Sequence, residues 1–385
     1  MRMAIFLSVF LTLYGSLHLY VFWKAKRAFG FHKHVGVLLG LFMGFMTVCP
    51  ILVRVSERQG LESLAGVLAY GGFTWMGFLF LFVAAGIALD FYGAVVYLIR
   101  RVKGGSVGKW RLSPRVVFFI ALGASLAGGV YALVEASSIQ TKHIVIKSPE
   151  IPKEFSPLRI VQISDVHLGL IIGKRSLSNI LDVVQEAKPD ILVSTGDLLD
   201  GQVDGIGDLE KQFRDIKPRF GKYAVNGNHE YYVGVRTAEK FCKGAGFTLL
   251  CNETVDIPGV AVIAGVDDPA AGRFGLLRTV TEKQLLSGVP KERFLLLLKH
   301  RPLLDTDSRG LFDLQLSGHT HRGQIFPFTL IIQMLYPIAS GLLKLENDSY
   351  LYVNPGSGTW GPPMRFLAPP EVTVIDLVHG KREKS

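Results

Sequence analysis

The sequence predicts an N-terminal region of membrane helices followed by an α/β domain. The chain has 385 residues, 49% of them hydrophobic, and the hydrophobic excess lies before about residue 135. After about residue 140, short apolar runs alternate with helical patterns, which is typical of α/β proteins. We therefore expect a transmembrane region at 1–137 and a second domain at 138–385, which is long enough to bury a core of its own.

Four apolar segments are close to or longer than the roughly 20 residues that a helix needs to cross a bilayer. They are Ala4 to Trp23, Val35 to Val53, Ala65 to Ile99 and Val116 to Val134. No small-residue cleavage site follows the first, which we interpret as an anchor. Nothing in the middle of the third would turn the chain, so we expect one long or tilted helix. Asp90 in that helix is either a functional carboxylate or one that lies at headgroup level or is paired within the bundle.

Basic residues are concentrated in two loops of this region. The formal net charge is +10, and the loops after the first and third segments carry Lys24, Lys26, Arg27, Lys33, Arg100, Arg101, Lys103, Lys109, Arg111 and Arg115. The loop after the second has Arg54 and Arg58, offset by Glu57 and Glu62. The positive-inside rule makes the two basic loops cytoplasmic, which predicts that the second domain lies on the extracytoplasmic face of the membrane. Because topology explains the charge better than a binding patch does, we expect no nucleic acid as a primary partner.

The three cysteines do not form a zinc or redox motif. Cys49 lies in an apolar segment, and Cys242 and Cys251 flank a predicted helix-to-strand junction. We interpret them as buried packing thiols. A disulfide between Cys242 and Cys251 is the alternative if the domain faces an oxidising compartment.

The second domain is predicted to alternate buried strands with helices. The predicted strands are His143 to Ile146, Leu158 to Ile163, Ile191 to Val193, Tyr223 to Val225, Thr248 to Leu250, Val260 to Ala264, Phe294 to Leu298, Leu314 to Leu316 and Tyr350 to Val353. The predicted helices are Leu177 to Ala187, Thr237 to Gly244 and Val280 to Leu286. This order indicates an α/β sandwich.

Five of these strands are followed by residues that can bind metals. The clusters are Asp165-Val166-His167, Gly196-Asp197-Leu198-Leu199-Asp200, Gly227-Asn228-His229-Glu230, His300 and Gly318-His319-Thr320-His321. Because strand ends meet at one edge of a sheet, where α/β proteins place their sites, we expect these clusters to lie together. His143 and His379 fit no cluster, and we interpret them as surface or packing residues.

The clusters suit two borderline divalent cations. The candidate ligands are Asp165, His167, Asp197, Asn228, His300, His319 and His321. Imidazole, carboxylate and amide donors without a thiolate suit manganese, iron or zinc. These are too many ligands for one ion. Two ions roughly 3.5–4 Å apart, bridged by a carboxylate and a hydroxide, can clamp the attacking and leaving oxygens of a displacement at phosphorus.

In this order the motifs resemble the calcineurin-like metallophosphoesterase family. The resemblance covers about Ile160 to His321, and the tail, with Tyr352 to Gly356 and Pro363 to Arg365, resembles the bacterial membrane-anchored branch. It implies a two-sheet β-sandwich flanked by helices. One metal would be held, with the bridging Asp197, by Asp165, His167 and His321. The second would be held, with the same bridge, by Asn228, His300 and His319.

The resemblance also implies that His229 is not a metal ligand but stabilises or protonates the leaving oxygen, with Asp200 orienting it. The chain departs from the protein-phosphatase branch at Gly201, where that branch has an arginine that grips phosphate. A phosphoprotein substrate is therefore not expected. The missing charge would come from Lys174, Arg175 or Arg322, unless these are ordinary surface bases.

An apolar segment, residues 326–343, follows the last ligand cluster. Its length and prolines make it a poor membrane-spanning helix. It is either a flap packed on the domain or an interfacial element resting on the bilayer beside the metal edge. The second interpretation predicts a lipid-linked or cell-envelope phosphoester as the substrate.

The sequence therefore favours a membrane-anchored, metal-dependent hydrolase of phosphodiesters or phosphomonoesters. A second hypothesis is a membrane sensor or scaffold whose phosphoesterase-like domain binds without hydrolysing, which missing ligands would favour. A third is a transporter with an accessory domain, which several paired intramembrane polar groups would favour.

Overall fold

The computed structural model describes residues 2–103, 110–201, 207–276 and 280–382, so Lys109 of the predicted topology signal lies outside the described residues. The chain divides into two compact units. The first comprises Met1–Val134 and Gly361–Met364. The second comprises Glu135–Trp360 and Arg365–Ser385.

The first unit is built from long helices. They are α1 (Arg2–Phe29), α2 (Lys33–Arg58), α3 (Glu62–Lys103) and α4 (Pro114–Ser137). Among the described residues, three helices, α2 to α4, are long and apolar enough to cross a membrane. α3 is one continuous helix of 42 residues, as predicted. That α1 forms a fourth span stays a prediction.

Several polar groups within this unit are paired with one another. The Asp90 carboxylate accepts hydrogen bonds from Lys24 Nζ and, at 2.7 Å, from the Tyr20 hydroxyl. Asp90 is thus paired within the bundle, the second of the two interpretations given above. Trp75 Nε1 donates to His18 Nε2 over 2.9 Å. A partner offsets much of the cost of a polar group in an apolar helix.

The second unit contains two six-stranded sheets. In spatial order the first is β1 (Gln140–Ser148), β12 (Glu371–His379), β2 (Leu158–Ile163), β3 (Ile191–Ser194), β4 (Lys222–Ala224) and β5 (Thr248–Leu249). The second is β10 (Gly341–Lys344), β11 (Tyr350–Val353), β9 (Leu314–Ser317), β8 (Leu295–Lys299), β7 (Ala261–Val266) and β6 (Glu253–Ile257). This is the expected two-sheet sandwich.

Helices lie between the strands of this unit in chain order. They are α5 (Lys174–Glu186), α6 (Gly207–Asp215), α7 (Asn228–Val233), α8 (Val235–Ala245), α9 (Glu282–Ser287) and α10 (Phe328–Leu335). Alternate strand residues face opposite layers. Leu296 and Leu298 pack between the sheets, whereas Leu295 and Leu297 pack toward α9. On the first sheet, Val161 faces the layer that contains α5, α6 and α8.

Strand direction sets where the site forms. β2, β3 and β4 run parallel in the first sheet, and β7, β8 and β9 run parallel in the second. The carboxyl ends within each set therefore lie along one edge. The sequence-based predictions did not include α6, α7, α10, β6, β10 or β12.

The structure also tests the predictions for the cysteines and for two histidines outside the clusters. None of the three cysteines forms a disulfide, so Cys242 and Cys251 are not joined to each other. His143 is exposed. His379 is partly buried and makes a 2.7 Å hydrogen bond between its Nδ1 and the Ile151 carbonyl. Both histidines thus serve surface or packing roles.

Candidate metal centre

Loops from both sheets bring the predicted residues together. Asp165, Asp197 and Asn228 follow β2, β3 and β4, and His300 and His319 follow β8 and β9. Among the described residues, three clusters of potential ligands result, and within each the ligating atoms lie within 4.8 Å of one another. The sets are Asp165, His167 and His321; Asp197, His300 and His319; and His167, Asp197 and His229.

The first set is closed by His321. Its Nε2 lies 3.3 Å from Asp165 Oδ1 and 3.1 Å from His167 Nε2. Two imidazole nitrogens and a carboxylate oxygen thus face one point from two sheets. This donor set suits a borderline divalent cation.

The second set is arranged in the same way around Asp197. His300 Nε2 lies 3.2 Å from Asp197 Oδ2 and 3.1 Å from His319 Nδ1. Asp197 Oδ2 is also 3.8 Å from His167 Nε2, in the first set. Asp197 therefore lies between the two sets, where a bridging carboxylate would be needed.

Asn228 provides an independent test of whether a metal fits. Its Oδ1 is buried and has no hydrogen-bond partner among the described residues. A buried polar atom without a partner is costly. Coordination of a cation would satisfy this oxygen, so the residues fit a metal beside Asn228.

The electrostatics of four of the candidate ligands also favour metal binding. Burial opposes ionisation of Asp165 and Asp197, but the neighbouring imidazoles lower the pKa of both carboxyls below the ordinary value of 3.8. Burial, reinforced by nearby cationic groups, lowers the pKa of His167 and of His319 to about 3. The acids are therefore charged at neutral pH, and these two imidazoles are neutral, which are the forms that bind cations.

His229 and Asp200 form a pair beside the metal ligands. His229 Nδ1 lies 3.0 Å from Asp200 Oδ1, which leaves Nε2 for another partner. The backbone N–H of His229 donates to Asp197 Oδ1 over 2.8 Å. Burial opposes protonation of the ring, but Asp197 and Asp200 raise the pKa of His229 above 6.5. A protonated imidazole held in this way can act as an acid.

Glu230 has a role that sequence reasoning missed. Its buried carboxylate accepts the backbone N–H groups of Asp197, Leu198, Leu199 and Gly227 at 2.7–3.1 Å. It thus holds the loop carrying Asp197 against the loop carrying Asn228. The sequence signal that could have identified Glu230 is its place as the fourth residue of the Gly-Asn-His-Glu motif.

Arg365 is the second missed residue. Its side chain is fully buried. The guanidinium donates to the carbonyls of His321, Pro355, Gly356, Gly358 and Ala368. Burial lowers the pKa of Arg365 to about 10, so it stays charged at neutral pH. Arg365 therefore fastens the loop at residues 355–358 to the backbone of His321.

The site is also conformationally strained. Asp165, His167, Asp197, His319 and His321 all have φ between 48° and 70°. Such left-handed backbone is uncommon for residues other than glycine and is a feature of functional sites. At Gly318, a Cβ atom would clash with Ser164 Oγ and Asp165 Oδ2, so only glycine fits there.

The predicted phosphate-binding bases are not gathered into this centre. Lys174 is exposed and pairs with the exposed Asp208 over 3.1 Å. Arg175 is exposed on α5. Arg322 follows His321 directly but is also exposed.

The apolar segment after His321 lies beside the centre. At its start, Thr329 Oγ1 donates to the Arg322 carbonyl over 2.7 Å. Past the end of α10, the Tyr336 ring lies 5.8 Å from the His319 ring, measured between centroids. Strand β10 pairs with β11, so part of the segment packs on the domain. Leu330, Met334 and Leu335 of α10 are exposed by 53%, 85% and 65%.

Comparison with known proteins reveals a consistent family likeness. The model of the family described as calcineurin-like phosphoesterase matches residues 158–323. A metallophosphoesterase of Aquifex aeolicus is 36% identical over 251 residues, which are 65% of this chain and 95% of that protein.

One further relative matches nearly the whole chain, and another is named as a transmembrane protein. A metallophosphoesterase of Campylobacter jejuni is 27% identical over 381 residues, which are 97% of this chain and 98% of that protein. A Danio rerio protein named as a transmembrane protein with a metallophosphoesterase domain is 33% identical over 264 residues. These are 64% of this chain and 60% of that protein.

Proposed function

The chain belongs to the calcineurin-like metallophosphoesterase family, and on that premise we propose that it hydrolyses phosphodiesters or phosphomonoesters with two divalent metal ions. The observation that supports two ions best is the position of Asp197. Its Oδ2 is 3.2 Å from His300 Nε2 in one ligand set and 3.8 Å from His167 Nε2 in the other.

The ligands divide between the two ions as follows. One ion, which is manganese, iron or zinc, would be held by Asp165, His167, His321 and Asp197. The other would be held by Asp197, Asn228, His300 and His319. When bound, the ions would supply positive charge to the phosphoryl oxygens and activate water for in-line attack.

The chain's own groups would handle the leaving oxygen. Asp200 accepts the Nδ1 proton of His229, which fixes the ring so that Nε2 carries the proton available to the substrate. The raised pKa of His229 keeps that proton in place at neutral pH. Transfer to the departing oxygen would avoid release of an alkoxide.

The test uses the full-length protein in detergent, loaded with manganese, with p-nitrophenyl phosphate and bis-p-nitrophenyl phosphate as substrates. We expect turnover of at least one substrate, two bound metals, and loss of turnover but not of metal in His229→Ala. A wild-type protein that binds two metals and turns over neither these nor lipid phosphoesters would favour the binding-only scaffold. A protein that binds no metal would refute the assignment.

We place the catalytic unit on the extracytoplasmic face of a bacterial cell membrane. The support is the charge of the loops, which is greatest after the first and third apolar segments. Protease treatment of spheroplasts should cleave the catalytic unit. Cleavage only after the membrane is opened would indicate that the catalytic unit lies on the cytoplasmic side.

A lipid-linked or envelope phosphoester is the proposed substrate class. The segment that contains α10 contacts Arg322 and His319 and exposes apolar side chains, and α2 to α4 are long and apolar enough to hold the chain at a bilayer. Replacing Leu330 and Met334 with Glu should slow hydrolysis of a vesicle-borne phosphatidic acid while p-nitrophenyl phosphate turnover stays unchanged. Gln333→Glu on the same helix is the matched control. Equal effects in both assays would contradict an interfacial role.

A further inference from the structure

A protein cation beside the centre would add to the positive charge that the metals supply to the phosphoryl oxygens. In the position after Asp200 this chain has Gly201, so that position supplies no positive charge. Of the bases considered from the sequence, Lys174 is occupied by Asp208 at the surface. An arginine next to a metal ligand is a better candidate.

Arg301 follows His300 and is held rigidly on one side. Its Nε donates to Asp268 Oδ2 over 2.7 Å, and its Nη2 donates to Asp268 Oδ1 over 3.2 Å. The Asp268 side chain is fully buried, whereas 23% of the Arg301 side chain is exposed. Nη1 has no acceptor among the described residues. One edge of the guanidinium is therefore fixed by Asp268, and the other edge is available to bind an anion.

The Arg301–Asp268 pair lies at the ligand edge. Asp268 follows β7, whose last residue, Val266, pairs with Lys299 at the end of β8. Asp268 also accepts the N–H of Ala270 and so begins the 3-10 helix Pro269–Phe274. The pair therefore connects the His300 loop to the neighbouring loop.

That neighbouring loop reaches the leaving-group side of the centre. The Phe274 ring lies 6.2 Å from the Tyr232 ring, and the Tyr232 ring lies 5.4 Å from the His229 ring. On the other side, Arg301 directly follows His300, whose Nε2 lies 3.2 Å from Asp197 Oδ2. The Arg301–Asp268 pair therefore lies at the edge that carries the metal ligands.

A guanidinium held by a carboxylate on one edge is preorganised to bind a phosphoryl oxygen with the other. The effect depends on substrate charge, because a phosphomonoester dianion carries one negative charge more than a phosphodiester. We propose that Arg301, positioned by Asp268, binds a non-bridging phosphoryl oxygen and makes the centre favour phosphomonoesters. This rests on the proposed function and narrows its substrate class.

The experiment compares full-length, manganese-loaded wild type with Arg301→Gln, Arg301→Lys and the surface control Lys174→Ala. Three quantities are measured for each: kcat/KM for p-nitrophenyl phosphate and for bis-p-nitrophenyl phosphate, the Kd of inorganic phosphate by calorimetry, and metal content with Tm. Arg301→Gln should lower kcat/KM for the monoester by roughly 10- to 100-fold, as expected for a hydrogen bond to a charged group. The kcat/KM for the diester should fall by less than about threefold. The affinity for inorganic phosphate should fall together with the kcat/KM for the monoester.

Metal content and Tm should stay at the wild-type values in the Arg301 variants. The kcat/KM of Arg301→Lys for the monoester should lie between those of Arg301→Gln and wild type. Lys174→Ala should match wild type in every measurement. An unchanged monoester-to-diester ratio together with unchanged phosphate affinity would overturn the proposal. So would an equal loss for both substrates with lower metal content in Arg301→Gln and Arg301→Lys, because that result indicates a structural role. If wild type hydrolyses neither these substrates nor lipid phosphoesters, the proposed function fails, and the phosphate affinities alone decide the role of Arg301.

Discussion

The two sheets of the catalytic unit contribute different chemistry to one centre. The first sheet delivers all of the oxygen donors, Asp165, Asp197 and Asn228, with one imidazole, His167. The second sheet delivers only imidazoles, His300, His319 and His321. Each of the two ligand sets at the proposed metal positions draws on both sheets. The first sheet therefore supplies the negatively charged ligands, and neither sheet can complete a metal site alone.

The strongest challenge to this comparison is Asp197→Asn, which removes the carboxylate that lies between both sets. We expect loss of both metals and a fall in hydrolysis of on the order of 10⁴-fold, the scale seen when a member of a catalytic unit is removed. Metal content by mass spectrometry and steady-state kinetics would check this. Asp182→Asn, an exposed acid on α5, is the control. If Asp197→Asn kept two tightly bound metals, Asp197 would not be the bridge.

A sharper test removes one imidazole from each sheet. His167→Ala should empty the position that contains Asp165 and His321, and His319→Ala should empty the position that contains His300. Each variant should retain one metal, and the double variant none, because the two sets have different histidines. Calorimetric titration with manganese gives the stoichiometry. Loss of both metals from either single variant would show that the positions are not separable.

Metal removal tests whether the ions tie the sheets together. A metal present at 100 times its Kd stabilises the folded state by about 2.7 kcal/mol. For a unit of this size that corresponds to a Tm higher by about 5–10 °C. Chelation should lower the Tm of the wild type by that amount, and manganese should restore it. Asp197→Asn should show no response to either treatment, and a chelation response in that variant would argue against the model.

Glu230→Gln should give the smallest effect, since this residue holds the loops of the first sheet and does not face the substrate. A glutamine cannot accept all four N–H groups that the carboxylate accepts. We expect metal affinity to fall about 10- to 100-fold, as for other residues that support metal ligands. Excess manganese should restore most of the turnover. Failure of excess metal to rescue turnover would point to a direct role in the reaction.

The sequence predicted the strands that carry the site more reliably than the elements around them. β2 was predicted with its observed bounds, Leu158 to Ile163, because a strand buried on both faces is a continuous apolar run. α10 was not predicted as a helix, since prolines and apolar residues on all sides hid its pattern. β6 was missed because its exposed residues break the apolar run.

By itself, the sequence determined which residues are available to the site and that they follow strands, because strand-end motifs are local in the chain. Only the tertiary structure decided which residues meet. The 3.1 Å approach of His167 and His321 joins positions 154 residues apart. The burial of Arg365 against five carbonyls and the pairing of Arg301 with Asp268 likewise depend on loops from different strands. Local patterns record propensity and period, whereas burial and charge pairing depend on distances that exist only after the sheets have packed.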